Sequence, residues 1–358
     1  MKKKILAVLM AGVMVLGLAA CGGGSGTSAP AETPEGGEAE TEAPAEASEI
    51  SIGLVTDVGG VNDGSFNQSA WEGLQRAQKD MGIQVNYLES KTDADYTPNI
   101  EAFMDEDCDL IICVGYMLAD ATRAAAEANP DQKFAIIDDA SIELDNVACL
   151  MFKQEQASYL VGYVAGMMTE SNTVGFELGM ANDTMNTFGY GYCAGVLDAN
   201  PDAKILQKNA NSFGSPETGS SDANAMITNG ADIIYHAAGG TGIGVIKKCQ
   251  EANIYAIGVD SDQSVIAPET VLTSAMKRVD NAVYDCSESV VNGSFESGVK
   301  TYDLSVGGVD IAPTQDLLTD EVKTAIEDVK AKIISGEITV PASKADFEAK
   351  YGDVYELD

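Results

Sequence analysis

The stretch Ile50-Ser-Ile-Gly-Leu-Val55-Thr-Asp57, its continuation Val58-Gly-Gly-Val-Asn-Asp-Gly64 and the segment Ser65 to Met81 decide how this chain is read. A short apolar run that stops at a carboxylate predicts a strand. A glycine-rich loop follows, and then Ala70, Trp71, Leu74, Ala77 and Met81 recur at helical spacing. The unit repeats. Val85 to Leu88 predicts a second strand, Tyr96 to Asp107 a helix, and Leu110 to Val114 a buried strand ending at Gly115. Leu118 to Asn129 predicts a helix, and Phe134 to Ile137 a strand ending at Asp138-Asp139. Strand–helix alternation at this spacing means a parallel sheet with right-handed crossovers.

The rhythm then restarts. Helices are expected at Gln156 to Met168, from about Asn186 to Ala199, at Ser220 to Asn229 and after Gly244 to Ala252; strands are expected at Asn172 to Leu178, Lys204 to Gln207, Asp232 to His236 and Tyr255 to Val259. The expected fold class is α/β, two doubly wound parallel-sheet lobes with a hinge near Ala148 to Glu155. Beyond Val271 a strand, a helix to Val291, short strands and a helix at Thr319 to Ser335 are too little for a third domain, so they are expected to return and complete the lobes. The expected division is residues 50–148 with about 264–298 in the N-terminal lobe, 149–263 with about 299–341 in the C-terminal lobe, and 342–358 as a tail. Ligands of open parallel sheets bind at the carboxyl ends of the strands, and two lobes facing each other there form a cleft that can close.

The N-terminus gives an address. Lys2, Lys3 and Lys4 precede the uninterrupted apolar and glycine run Ile5 to Ala20, the pattern of a secretory signal rather than a membrane span. Leu18-Ala19-Ala20-Cys21 resembles the bacterial lipobox, which implies cleavage before Cys21, diacylation of its thiol, often acylation of the new amine (palmitate among the chains), and anchoring to the cell membrane. Residues 21–49 are an acidic linker with seven glutamates and no basic residue, which has nothing to bury and reads as a solvated leash.

The charge narrows the partners. The chain carries a formal −35, and loss of the three signal lysines makes the mature form −38. Such a field repels nucleic acid and anionic headgroups, so neither is an expected partner. Six cysteines follow Cys21 (Cys108, Cys113, Cys149, Cys193, Cys249, Cys286), scattered through apolar runs, and are expected as buried free thiols. One histidine, His236, and no CxxC pair leave no expected metal site, and no cofactor.

The strand ends carry the chemistry. Asp57, Asp63, Phe66 and Asn67 follow the first strand, and Asp138 the strand Phe134 to Ile137. Phe213 lies in Asn211-Ser-Phe-Gly, Gly239 to Thr241 follow His236, and Asp260, Asp262 and Gln263 follow Ile257-Gly-Val. Carboxylates accept hydrogen bonds from hydroxyls, aromatic faces sandwich a flat ring, and the same carboxylates repel phosphate, so a neutral, polyhydroxylated ligand with a ring fits. A strand-end Asp also serves as a helix N-cap, Phe66 and Phe213 as core, and Gly239 to Gly244 as a tight turn, since its order is not that of a phosphate loop. His236 is expected buried or edge-satisfied beside the cleft, without an acid/base partner.

At these residues the chain resembles the basic membrane protein family, substrate-binding lipoproteins of ABC transporters that include purine nucleoside receptors. The matching stretches are Val55 to Gly73, His236-Ala-Ala-Gly-Gly-Thr-Gly-Ile-Gly-Val245, Ile257-Gly-Val-Asp-Ser-Asp-Gln263 and Thr273-Ser-Ala-Met-Lys-Arg-Val-Asp280, in order between about Ile50 and Pro341. The resemblance implies a type I periplasmic binding protein-like fold. It also implies a nucleoside ligand and the ABC permease and ATPase subunits as partners. Phe66 and Phe213 would stack on the base, Asp57, Asp138 and Asp260 would read base edge and ribose, Gly239 would approach the sugar, and Lys277 would contact the ligand; Asn67, at the first strand's end, is expected in the same ligand-binding set. No catalytic residue is implied. Thr184-Met-Asn-Thr187 departs from the common form and bears on base preference.

The expected function is a monomeric, lipid-anchored, extracytoplasmic receptor that captures nucleosides, purines foremost, and hands them to a permease. The alternatives are the same fold holding a free sugar, base or signalling molecule, and a surface nucleoside hydrolase or phosphorylase. Hydrolysis needs an activated water, and the strand-end aspartates read as dispersed over two lobes.

Overall fold

The computed structural model describes residues 50–357; the signal, Cys21 and the acidic linker lie outside them. The first sheet contains β1 (Ser51–Val55), β2 (Gln84–Leu88), β3 (Leu110–Cys113), β4 (Lys133–Ile137), β5 (Val147–Phe152) and β11 (Gly298–Tyr302), in the order β2-β1-β3-β4-β5-β11, every pair parallel. The second holds β6 (Thr173–Leu178), β7 (Lys204–Asn209), β8 (Ile233–Ala237), β9 (Tyr255–Asp260), β10 (Val271–Lys277) and β12 (Val309–Ile311), in the order β7-β6-β8-β9-β10-β12, with β12 antiparallel. The two sheets repeat one topology, so β1, β3, β4 and β5 correspond to β6, β8, β9 and β10.

Helices cover both sheets. α1 (Phe66–Met81), α2 (Tyr96–Asp105), α3 (Ala119–Ala128) and α8 (Val279–Val291) pack in the first lobe; α4 (Gln154–Met168), α5 (Asp183–Ala199), α6 (Pro216–Thr228), α7 (Gly240–Ala252), α9 (Asp320–Ser335) and α10 (Lys344–Tyr351) pack in the second. The fully buried, β-branched-rich runs Leu110–Cys113 and Ile233–Ala237 form central strands because helices shield both their faces.

The chain crosses between lobes after β5, after β10 and between β11 and β12. The crossings are pinned together: Lys153 N–H donates to the Tyr302 carbonyl at 3.0 Å, Arg278 N–H to the Gly308 carbonyl at 2.9 Å, and Leu304 N–H to Gln156 Oε1 at 2.9 Å. The hinge therefore lies at Lys153, within the expected stretch, and at two further segments.

The expected lobe boundaries change in detail. β5 extends past 148 because it pairs in register with β4, Ala148 opposite Ala135 and Leu150 opposite Ile137. β10, expected in the N-terminal lobe, pairs with β9 in the second sheet, while β11, expected in the second, pairs with β5 in the first. Residues 342–358 are not a tail: α10 packs on α5, Phe347 and Tyr355 are buried, and Tyr355 donates to Asn186 at 3.0 Å. Six cysteines are buried free thiols, and burial pushes Cys113, Cys249 and Cys286 up to about 12.

The second lobe rests on one close helix pair. Gly162 and Gly166 of α4 face Gly191 and Gly195 of α5 so closely that a methyl group at Gly162 would lie 2.2 Å from the Tyr192 carbonyl oxygen, and one at Gly195 2.1 Å from that of Tyr159. Glycine to alanine normally strengthens a helix. Here Gly162→Ala and Gly195→Ala are each expected to lower unfolding free energy by about 1–3 kcal/mol in urea titrations, because backbone would have to move.

Candidate ligand-binding site

The carboxyl ends of both sheets meet across the cleft and enclose a cavity. Its wall includes Asp57, Asp63, Phe66, Asn67, Gly115, Tyr116 and Asp138 from the first lobe, and Met185, Phe188, Phe213, Gly239, Asp260 and Lys277 from the second. About 490 Å³ of space lies between the wall atoms, its mouth included, within the range of small-molecule pockets. All eight residues of the expected ligand-binding set are brought together here, while Thr241, Asp262 and Gln263, also at strand ends, are not on the wall.

Corresponding strands supply corresponding groups. Gly115 follows β3 and Gly239 follows β8, while Asp138 follows β4 and Asp260 ends β9. All four hold positive φ, 108° and 54° for the glycines, 67° and 63° for the aspartates. Left-handed backbone is unusual for a residue with a Cβ, though Asp tolerates it better than most. It turns each chain sharply as the strand ends.

The residues of the first loop divide their tasks. Asp63 Oδ1 accepts from the backbone N–H groups of Ser65 (2.9 Å) and Gln68 (3.1 Å), and its Oδ2 from that of Asn67 (2.9 Å), so Asp63 caps the start of α1. The Asn67 amide donates to Asp57 Oδ1 at 2.8 Å and to Asp63 Oδ2 at 3.0 Å, and its oxygen accepts from Asp57 N–H at 3.2 Å. Asn67 thus uses its hydrogen-bonding capacity to hold two carboxylates. Asp57 Oδ1 also accepts from Gly59 N–H at 2.8 Å, and its Oδ2 lies beside Gly115, 3.4 Å from where a methyl group would stand. Neither Asp57 nor Asp138 caps a helix.

Lys277 is the basic residue of this wall. Its ammonium pairs with Asp138 Oδ2, while Asp138 Oδ1 is buried and unpaired. The rings of Phe66, Phe152 and Phe188 surround the same ammonium at 4.7, 5.1 and 5.6 Å, a cation–π cage that offsets part of its lost hydration. Phe213 lies over Gly179, where a methyl group would be 2.3 Å from its ring. Gly239 passes close to the Phe213 backbone, and the Phe213 carbonyl accepts from Thr241 N–H at 3.1 Å.

Sequence reasoning missed Tyr116 and Phe188, and named Met185 only within the stretch Thr184 to Thr187. The signal was present, since each lies in the first turns after a strand's carboxyl end, where α3's approach and α5 begin. His236 is buried as expected, but it does not line the cleft. It is fully buried beneath α7, away from the cavity wall, and meets Gln263 Oε1 at 3.0 Å. The aspartates, expected to be dispersed, are gathered around one cavity.

The cavity is electrostatically costly when empty. Burial pushes Asp57 up to about 6; hydrogen bonds from Gly59 and Asn67 pull against it, and the charges of Asp63 and Asp138 add to it. Burial likewise pushes Asp260 up to about 6, opposed by the Lys277 charge and the Ser65 hydroxyl.

Residues 50–344 match the family model of PnrA-like ABC transporter substrate-binding proteins. The chain belongs to this family. A Lactococcus lactis relative, the ABC transporter nucleoside-binding protein BmpA, is 35% identical, with 96% of this chain and 100% of the relative covered. The CD4+ T-cell-stimulating antigen of Listeria monocytogenes is 40% identical, with 82% of this chain and 88% of that one covered. Among solved structures, an ABC transporter solute-binding protein of Aeropyrum pernix superposes with a TM-score of 0.78 at 28% identity, covering 85% of this chain and 98% of that one. The PnrA-like members are extracytoplasmic binding proteins and not enzymes, which sets aside the hydrolase and phosphorylase reading. Among the described residues no helix is long and apolar enough to cross a membrane.

The raised carboxylates give a signed prediction. Between about pH 4 and 6 the folded protein binds more protons at Asp57 than the unfolded chain does, so this group favours unfolding increasingly as pH rises and fully above 6. Asp57→Asn keeps the acceptor facing Gly59 and removes the charge. It is expected to stabilise the ligand-free protein at pH 7.5 by up to about 3 kcal/mol, with the gain fading as pH falls towards 4. Thermal melts of both proteins across that range check it.

Proposed function

We propose that this protein is a lipid-anchored receptor that captures nucleosides, purines foremost, between its lobes and presents them to an ABC permease. The observation that carries the reading is the pairing of aromatic rings from opposite lobes, Phe66 and Phe213, on the wall of one cavity whose polar groups are mainly carboxylates. A nucleoside is a flat ring joined to a set of hydroxyls, and it bears no phosphate to be repelled. The base enters between the rings, and the ribose hydroxyls and ring N–H groups donate to Asp57, Asp138 and Asp260. The Lactococcus relative, a nucleoside-binding protein, supports the same class. Asp138 Oδ1, buried without a partner, is an acceptor for a ligand donor.

Held at the membrane by Cys21 on its acidic linker, the receptor is concentrated where a permease receives the ligand. Cys21 lipidation is tested by mass spectrometry of the protein extracted from cells; Cys21→Ser is expected to release it to the medium.

Calorimetry with inosine, guanosine, adenosine, ribose and galactose tests the ligand class. Phe66→Ala and Phe213→Ala are each expected to weaken inosine binding by about 1–3 kcal/mol, the range of single base–aromatic stacking. Tight ribose or galactose binding without nucleoside heat would instead mean a sugar receptor. Since hydrogen bonds from the ligand favour ionised Asp57 and Asp260, affinity is expected to fall as pH drops below 6.

A further inference from the structure

Gln263 lies off the cavity wall, almost fully buried, and its side chain reaches across the cleft. Its Nε2 donates to the carbonyl of Gly64 in the first lobe at 3.0 Å, and its Oε1 accepts from Val259 N–H at 2.9 Å and meets His236 Nε2 at 3.0 Å. Its own N–H donates to Ser274 Oγ at 3.1 Å. The orientation is forced, because a carbonyl only accepts and a backbone N–H only donates. With the amide oxygen so fixed, the proton of His236 must sit on Nε2.

The surroundings are shaped for this pair. A methyl group at Gly258 would stand 2.7 Å from Gln263 Oε1, and one at Gly242 would stand 1.9 Å from His236 Nδ1. Burial holds the His236 ring neutral by pushing it down to about 4. Glu177, the register partner of His236 on the neighbouring strand β6, is kept neutral as well, pushed up to about 9 by burial and the Asp222 charge against the pull of Lys208. Gln263 therefore meets a neutral donor fixed in place.

We propose that His236 and Gln263 form a latch that holds the lobes closed through the Gly64 carbonyl without touching the ligand. Two neighbours reinforce the junction: Ser261 Oγ donates to the same carbonyl at 3.4 Å, and Ser65 Oγ to Asp260 Oδ2 at 2.5 Å. Of these groups Asp260 is on the cavity wall, whereas His236 and Gln263 are not. His236 is a positioning residue and Gln263 the strut it positions. A latch of this kind sets the closed fraction before ligand chemistry is consulted. Apparent affinity scales with that fraction for every ligand alike, whereas loss of a wall residue changes one ligand more than another.

The inference rests on the reading of the cavity as a site the lobes close over, so the first readout needs no ligand. Spin labels carried by unnatural amino acids at Lys79 on α1 and Lys247 on α7 report the distance between lobes. They are compared in the otherwise native chain, in Gln263→Leu, which cannot donate, and in the isosteric Gln263→Glu, at pH 8.5, without ligand and with inosine. Both substitutions are expected to shift population from the closed to the open distance. Dissociation constants for inosine, adenosine and uridine are expected to rise by one common factor, on the order of tenfold. Unchanged closed populations in the variants, with and without inosine, overturn the latch. So does a change confined to one nucleoside, which makes Gln263 a ligand contact. If no nucleoside binds to any form, the nucleoside reading fails, and the ligand-free distances still decide the latch.

Discussion

One ammonium group among buried carboxylates governs this molecule. Lys277 ends β10, immediately before a hinge crossing, and its charge stands against Asp57, Asp63, Asp138 and Asp260 around the same cavity. Asp138 is the one it pairs with, yet its field also lowers the cost of ionising Asp260. An ammonium at this depth has given up its hydration. The aromatic cage of Phe66, Phe152 and Phe188 and the Asp138 carboxylate stand in place of that water, and they come from both lobes. Closing the lobes therefore assembles the environment that the lysine needs, and the lysine in turn lets the acidic cavity exist.

The same interaction explains why the wall is half prepared and half unsatisfied. Asp63 and Asn67 have their hydrogen bonds within the protein and fix geometry. Asp57 and Asp260 keep oxygens available at an energetic cost, and Asp138 keeps one buried oxygen bare. Stability is given up where a ligand can return it, the usual arrangement at a binding site.

Much of this was legible in order. Apolar runs ending at Asp57, Asp138 and Asp260 marked both strands and site residues, because a strand's carboxyl end is where a parallel sheet exposes backbone and loops to a cleft. What the chain did not announce was pairing between distant segments. Whether β10 joins the first or the second sheet depends on whether it pairs with β5 or β9, a long-range choice that local periodicity does not record. The misassigned tail has the same cause: Tyr355 and Phe347 read as isolated aromatics until α5 supplies the surface they cover. Tyr116 and Phe188 went unnoticed for a different reason. They look like ordinary core residues, and their place on the wall depends on how far each helix's first turn projects over the sheet.

The buried thiols carry a consequence of their own. Members of this family act outside the cytoplasm, where paired cysteines are common, yet six are kept here as thiols sealed in the cores of both lobes. Raised towards the protonated form and shielded from solvent, they make poor nucleophiles in the folded state. Their protection is thus conformational rather than covalent. It vanishes in the unfolded chain, when all six are open to oxidants and to one another. The period of chemical risk is the interval before the sheets close, so rapid acquisition of structure takes the place that disulfides hold in many proteins that act outside the cytoplasm.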